Sequence, residues 1–286
     1  MIIELAIGDA YGAGFEYAPA AMVAAQNNLT SYVQHPRHNI GRGRYTGDTQ
    51  MTIAVTEILL SEEEWTAHNL AAAFIRCFKR DERPGYAGGF YNFLLSVKDA
   101  DDFLSRIKPF SDKSGGAMRA TTIGAYPDKK RVIELARLQA ALTHNTEDGM
   151  NAAAAAALAA HYFIYNLGKK EDLPRFIADS LPGDWTTPWE GPVGEKGLMS
   201  VRAAMTAISG ADLLSEILRR SVAFTGDVDT VAAIALGVAS NSREVYNDLP
   251  AALISGLENG PYGRDFLLDL DARLSAFISD KRRQRK

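Results

Sequence analysis

Two short acidic motifs, Thr46-Gly47-Asp48-Thr49-Gln50-Met51-Thr52 and Thr225-Gly226-Asp227-Val228-Asp229-Thr230, each run directly into an apolar-periodic stretch. Carboxylates and threonine hydroxyls are the oxygen donors that hard cations such as Mg²⁺ require. At a helix entrance the same residues also act as caps, accepting hydrogen bonds from N–H groups that have no partner inside the helix. Two such motifs, the second with an Asp-x-Asp-Thr set, carry more oxygen than capping uses. Together they read as two halves of one metal site.

Helix geometry limits how those oxygens can meet. Residues two apart on a helix point to nearly opposite sides, so Asp227 and Asp229 converge only if Asp227 still lies in a turn. Gly226 permits that turn, and Val231, Ala235 and Val238 predict a helix from Val231 onward. Thr46 and Asp48 are expected just ahead of a helix that starts near Thr49 or Gln50. A third acidic segment is Gly8-Asp9-Ala10-Tyr11-Gly12-Ala13-Gly14-Phe15-Glu16. It lacks the Gly-Lys-Ser/Thr ending of a phosphate-binding loop and follows no evident strand, so its glycines are read as points of close helix packing.

The elements that must position these groups are helices. Met51, Val55, Ile58 and Leu59 share one face, as do Leu135, Leu138 and Leu142, then Leu213, Leu214, Ile217, Leu218 and Val222, and finally Leu267, Leu270, Leu274 and Ile278. Alternating β-branched patterns are scarce, and the alanine-rich segment 151–160 has high helix propensity and small side chains that let helices approach. The fold class is all-α, in a single compact multi-helix domain over 1–280 followed by a basic tail, 281–286. Three stretches are expected as irregular: 28–45, 113–119, and the proline-bearing 181–197, which holds Trp185 and Trp189.

The 286 residues are 47% hydrophobic, enough for a sizeable core, and the net charge of -4 argues against a general nucleic-acid or membrane-surface binder. The one basic cluster is terminal and is read as a solvated, frayed tail. The single cysteine, Cys77, excludes an internal disulfide and lies on an apolar stripe with Leu70, Phe74 and Phe78, which suits a core thiol in a reducing compartment. No run reaches the roughly 20 apolar residues of a membrane span, and the N-terminus lacks a signal-peptide pattern, so a cytoplasmic protein is expected.

Taken in order, Gly8-Asp9-Ala10 through Glu16, Tyr45 to Met51, Gly115-Gly116-Ala117-Met118-Arg119, Leu142-Thr143-His144 and Gly226 to Thr230 resemble the ADP-ribosylglycohydrolase family. The resemblance implies an all-α fold around a central dinuclear site for Mg²⁺ or Mn²⁺. It implies hydrolysis of the bond between ADP-ribose and an acceptor, with an ADP-ribosylated protein or a small ADP-ribosyl compound as partner. Thr46, Asp48, Asp227, Asp229 and Thr230 fall on the family's metal-ligand positions. Glu16 falls on an acidic position near the metals and the scissile ribose, so Glu16 and Asp48 are the candidates to take the proton of the attacking water. Ser114, Gly115, Gly116, Ala117 and Met118 resemble a loop that approaches the diphosphate or distal ribose. His144 matches a position near the substrate, and a structural hydrogen-bonding role is equally open to it. Trp185 and Trp189 are read as candidates to stack on adenine or as pins for their loop, and Tyr11 and Tyr17 as pocket walls or core.

One position departs from the family pattern. The family commonly has Thr-Asp-Asp-Thr where this chain has Thr46-Gly47-Asp48-Thr49, which removes a carboxylate and puts the second ion in question. The leading expectation is a hydrolase acting on arginine-linked ADP-ribose. The alternatives are a catalytically impaired binder of ADP-ribose or of a partner, and a structural helical protein whose acidic motifs are only caps.

Overall fold

The computed structural model describes residues 1–284. Its first six α-helices are α1 (Ile2–Ala13), α2 (Ala20–Gln26), α3 (Gly47–Leu60), α4 (Ala67–Arg80), α5 (Gly88–Ser96) and α6 (Ala100–Arg106). After two 3₁₀ turns, Ser114–Gly116 and Thr121–Ala125, come α7 (Lys129–Ala141), α8 (Glu147–Ile164) and α9 (Leu173–Ala178). The chain ends with α10 (Gly197–Ser209), α11 (Leu214–Ala223), α12 (Val228–Ala239), α13 (Ala251–Gly256) and α14 (Arg264–Gln284). Only isolated bridges, and no sheet, occur among the described residues. The all-α expectation holds.

The alanine-rich helix α8 is the axis of the array. Thr146 caps it by accepting the Gly149 N–H, and Ala152 through Ala160 are buried along its length. Their small side chains let α7, α10, α12 and the Thr121–Ala125 turn pack around one helix. The predicted stripes fill the core with few exceptions. Leu214, Ile217, Leu218 and Val222 are buried, whereas Leu213 precedes α11 and is 43% exposed, because its backbone turns to meet Tyr246 before the helix begins. Cys77 is a buried thiol donating to the Gln50 carbonyl, and burial pushes its pKa up to about 12.

Both motif helices begin earlier than their sequence suggests. Helix α3 starts at Gly47, because the Thr46 hydroxyl accepts the Asp48 N–H and caps it there. Helix α12 starts at Val228, so Asp229 lies in its first turn while Asp227 remains outside at the N-cap. The stretch 181–197 is irregular, as expected, up to the first residue of α10. Lys281, Arg282 and Arg283 do not fray but continue α14, where the Arg282 guanidinium donates to the Ile164 carbonyl. Arg285 and Lys286 lie outside the described residues.

Close packing at glycine positions the first acidic segment. Gly8 and Gly12, one turn apart on α1, face α12, where a Cβ on Gly8 would lie 2.4 Å from the Ala232 carbonyl oxygen. On Gly12 it would lie 2.4 Å from the Cα of Asp229. The two helices therefore meet backbone to backbone, and Asp229 is held directly against α1. Gly12→Ala is expected to lower stability by about 2–3 kcal/mol through overpacking, measured by thermal unfolding. Gly88→Ala, where nothing lies within 4 Å of the added methyl, should leave the melting temperature unchanged or slightly higher.

Candidate functional site

The start of α3 is built around Asp9. Its Oδ2 accepts the Thr46 N–H at 2.9 Å, the Thr49 N–H at 3.0 Å and the Thr49 hydroxyl at 2.5 Å. A carboxylate from α1 thus caps α3 across space, where the unpaired N–H groups and helix dipole favour negative charge. With Thr46 and Asp9 serving as caps, Asp48 is free of that duty. Its Oδ2 instead accepts the Thr230 hydroxyl at 2.7 Å, which joins the two motifs directly. Asp227 likewise makes no side-chain cap bond to α12. The account of these aspartates as helix caps fails on this point.

Glu16, Asp227 and Asp229 each bring a carboxylate oxygen to within 4.8 Å of the others. The turn that makes this possible has Gly226 at φ +91°, with the Val193 carbonyl only 1.9 Å from where a Cβ would stand. Val193 fixes the turn by donating to the Thr225 carbonyl and accepting the Asp227 N–H. Thr225 and Tyr17, with φ +65° and +49°, adopt the left-handed region although neither is glycine. Tyr17 is held there because its N–H donates to the Gly226 carbonyl at 2.8 Å, and this pins Glu16 beside the turn.

A residue outside the predicted set orients Glu16. His35 Nδ1 accepts the backbone N–H groups of Arg37 and His38, both at 3.0 Å, so the proton of the neutral ring belongs on Nε2. That nitrogen lies 2.7 Å from Glu16 Oε2. One glutamate oxygen is therefore engaged by the histidine, and the other is left for the cluster. His35 sits in the irregular 28–45 loop, whose composition gave no sign of what it would meet.

Burial raises the pKa of Asp9, Asp48 and Asp229, and neighbouring carboxylates raise the latter two further. Asp227 is pushed up to about 6, first by burial and then by Glu16. Carboxylates packed this closely need protons or a cation between them. Asp229 is only 4% exposed, and its Oδ1 is buried without a hydrogen-bond partner. A buried carboxylate oxygen without a hydrogen bond, on a residue grouped with two further carboxylates, fits a divalent ion that takes oxygen ligands.

The cluster lies in a cleft of about 1120 Å³ that Glu16, Tyr17, Asp48, Asp227, Asp229 and Thr230 help to line. Thr46, 1% exposed, is covered by the Gly85 turn, where a Cβ would lie 2.5 Å from its own. Of the predicted substrate loop, Ser114, Gly115 and Met118 line the cleft with His144. Gly116 and Ala117 are behind the wall, Gly116 against Ala140 and His144. Trp185 is buried and donates to the Pro182 carbonyl, Trp189 is bonded to the Gly191 carbonyl and flanked by Arg202, and neither lines the cleft. Tyr11 is core, with its hydroxyl accepting the Leu29 N–H.

Gly47 has a structural counterpart that sequence reading missed. A Cβ there would lie 2.7–2.8 Å from the ring of Tyr86, whose hydroxyl donates to Gln50 Oε1 at 2.6 Å. The tyrosine occupies space that a larger side chain at position 47 would need.

Two outcomes follow from this geometry. Asp9→Asn should cost about 1–3 kcal/mol, because an amide cannot accept all three hydrogen bonds with a full charge, and Mn²⁺ affinity measured by calorimetry should fall with it. Asp227 binds its proton more tightly folded than unfolded between pH 3.8 and about 6, so its contribution to metal-free stability is lost as pH rises through that window. Thermal unfolding without metal should show a flatter pH slope there for Asp227→Asn than for the native chain.

A family model described as ADP-ribosylglycohydrolase matches residues 1–284. The mouse ADP-ribosylhydrolase ARH3 is 31% identical over 178 residues, which cover 58% of this chain and 48% of the mouse protein. The human ADP-ribosylhydrolase ARH3 is 37% identical over 151 residues, covering 49% and 42%. The chain thus spans about half the length of these curated relatives. A solved structure described as an ADP-ribosylglycohydrolase-related protein complex superposes with a TM-score of 0.71 at 22% identity, covering 98% of this chain and 96% of that one, and shares the fold. With the family model matching from the first residue to the end of α14, the chain belongs to the ADP-ribosylglycohydrolase family.

Proposed function

We propose that this protein is a divalent-metal-dependent hydrolase that releases ADP-ribose from a modified acceptor, with arginine-linked ADP-ribose on a protein or small molecule as its substrate. One observation carries the reading. Asp48, Asp227 and Asp229 are buried at the edge of an open cleft, are excused from capping, and are brought together by the Thr230–Asp48 bond and the Gly226 turn. Family membership supplies the chemistry that such a cluster serves.

Asp48, Asp227, Asp229, Thr230 and Glu16 would hold the metal, with Thr46 behind Asp48. A bound divalent ion supplies charge stabilisation at the ribose hydroxyls and acidifies a neighbouring water. The side chains do the rest. Glu16, steadied at Oε2 by His35, presents its other oxygen to the cluster and is placed to take a proton from that water; Asp48 is the other candidate. Cleavage at the anomeric carbon builds positive character, which the surrounding carboxylates favour.

The carboxylates around Tyr17 support the arginine acceptor. Burial first, and then the fields of Asp227, Glu16, Glu195 and Asp229, push the Tyr17 pKa up to about 12. A carboxylate field beside the cleft suits a cationic guanidinium. Arg106, Lys108 and Lys113 also line the cleft, Arg106 paired with Asp102 and Lys113 with Glu195, together with the rings of Tyr86, Phe90 and Phe93, which suits the diphosphate and base of ADP-ribose. Among the described residues no helix is long and apolar enough to cross a membrane. We place the protein in the cytoplasm, in keeping with its buried lone thiol.

The second reading, a catalytically impaired ADP-ribose binder, is favoured by Gly47 and the Tyr86 ring against it. Purified protein with Mg²⁺ or Mn²⁺ should release ADP-ribose from modified arginine, and Asp229→Asn should lower the rate about 100-fold or more. Tight ADP-ribose binding without release under either metal would favour the impaired binder. In a panel of arginine-, serine- and nucleobase-linked ADP-ribose, the arginine conjugate should be hydrolysed fastest; a preference for serine would overturn the acceptor assignment. Chelation of the ion should lower the melting temperature, and Mn²⁺ should restore it by linkage.

A further inference from the structure

Arg119 is a fully buried cation, 1% exposed, whose hydrogen-bond partners include no carboxylate. Its Nε donates to Gln139 Oε1 at 2.6 Å, and its Nη2 donates to the Gln139 carbonyl at 3.2 Å and the Thr143 hydroxyl at 2.8 Å. The guanidinium lies over the Phe74 ring at 4.5 Å. Burial draws its pKa down to about 9, which leaves it charged at neutral pH.

An arginine can only donate, so Thr143 Oγ1 must accept from it and give its own proton elsewhere. The neighbouring acceptor is His144 Nδ1, at 2.6 Å. If Nδ1 carried the proton, both it and Arg119 would donate to the one oxygen, and the threonine proton would have no protein acceptor among the described residues. The ring proton therefore belongs on Nε2. No hydrogen bond to Nε2 occurs among the described residues, and the His144 ring lines the cleft. Gly115 lets it stand there, since a Cβ on that glycine would lie 2.9 Å from Cε1 and 3.2 Å from Nε2.

We propose that Arg119, acting through Thr143, holds His144 in a single tautomer with its proton on Nε2, so that His144 presents a fixed hydrogen-bond donor to an oxygen of the bound ADP-ribosyl group. Arg119 and Thr143 are positioning residues, and His144 is a binding residue that takes no part in proton transfer. The ligand in this assignment rests on the proposed function, whereas the tautomer does not. The electrostatics agree: burial first, and Arg119 second, push His144 down to about 3 against the opposing pull of Asp112, so the ring stays neutral at working pH.

The test is ¹H–¹⁵N spectroscopy of the histidine side chains in the 286-residue chain, together with calorimetric binding of ADP-ribose in Mg²⁺. The native chain should show the Nε2–H pattern for His144 without ligand. Thr143→Val should give a mixture of tautomers and weaken ADP-ribose about tenfold, the loss of roughly one hydrogen bond. Thr143→Ser should restore both. His144→Phe, which keeps a ring and removes the donor, should show the same tenfold loss with its melting temperature preserved. An Nδ1–H pattern in the native chain, or an unchanged pattern in Thr143→Val, would overturn the proposal. If the native chain shows the expected pattern but does not bind ADP-ribose, the tautomer stands and the proposed function falls, together with the ligand assigned here.

Discussion

The constraint on which this structure depends is the burial of several carboxylates in a helical core. Asp9, Asp48, Asp227 and Asp229 are all nearly inaccessible, and among the described residues no lysine or arginine pairs with them. Isolated charges there would be strongly unfavourable. The fold offsets part of that cost with polar groups that are already fixed, above all the N-terminus of α3 aimed at Asp9. What remains is a cost that a cation bound among Glu16, Asp227 and Asp229 would offset. Binding of such an ion would stabilise the folded chain by linkage.

Such a cluster requires unusually close backbones. Gly8 and Gly12 let α1 lie directly on α12, and Gly226 lets the second motif turn against Val193. At Gly12 the missing side chain leaves room for Asp229 itself. The left-handed Tyr17 and Thr225, which carry side chains and tolerate the conformation only because hydrogen bonds hold it, mark the same place. The local irregularity is concentrated where Glu16 and Asp227 meet.

A buried charge of the other sign also shapes the cleft wall. Among the described residues Arg119 has no counter-ion in contact, and its influence passes through Thr143 to the His144 ring. Gln139 secures the same region by donating to the Gly116 carbonyl, so the turn 114–116, helix α7 and the histidine form one unit.

The sequence by itself determined the helical class, because 3.6-residue periodicity and an alanine-rich segment are local properties that each stretch carries on its own. It also marked Thr46, Asp48, Asp227, Asp229 and Thr230, since acidic residues beside glycine and threonine at a helix entrance stand out by type and spacing. Thr46 caps α3 locally, but only the tertiary structure added Asp9 from another helix to that cap and pinned the turn before α12 to Val193. The same is true of His35 against Glu16, Tyr86 against Gly47 and Arg119 behind His144. The first two pairs link residues from different parts of the chain, and the third runs through a side chain reached only when α7 folds back on the 114–116 turn. No local pattern encodes such pairings, because they exist only when the core brings their elements together.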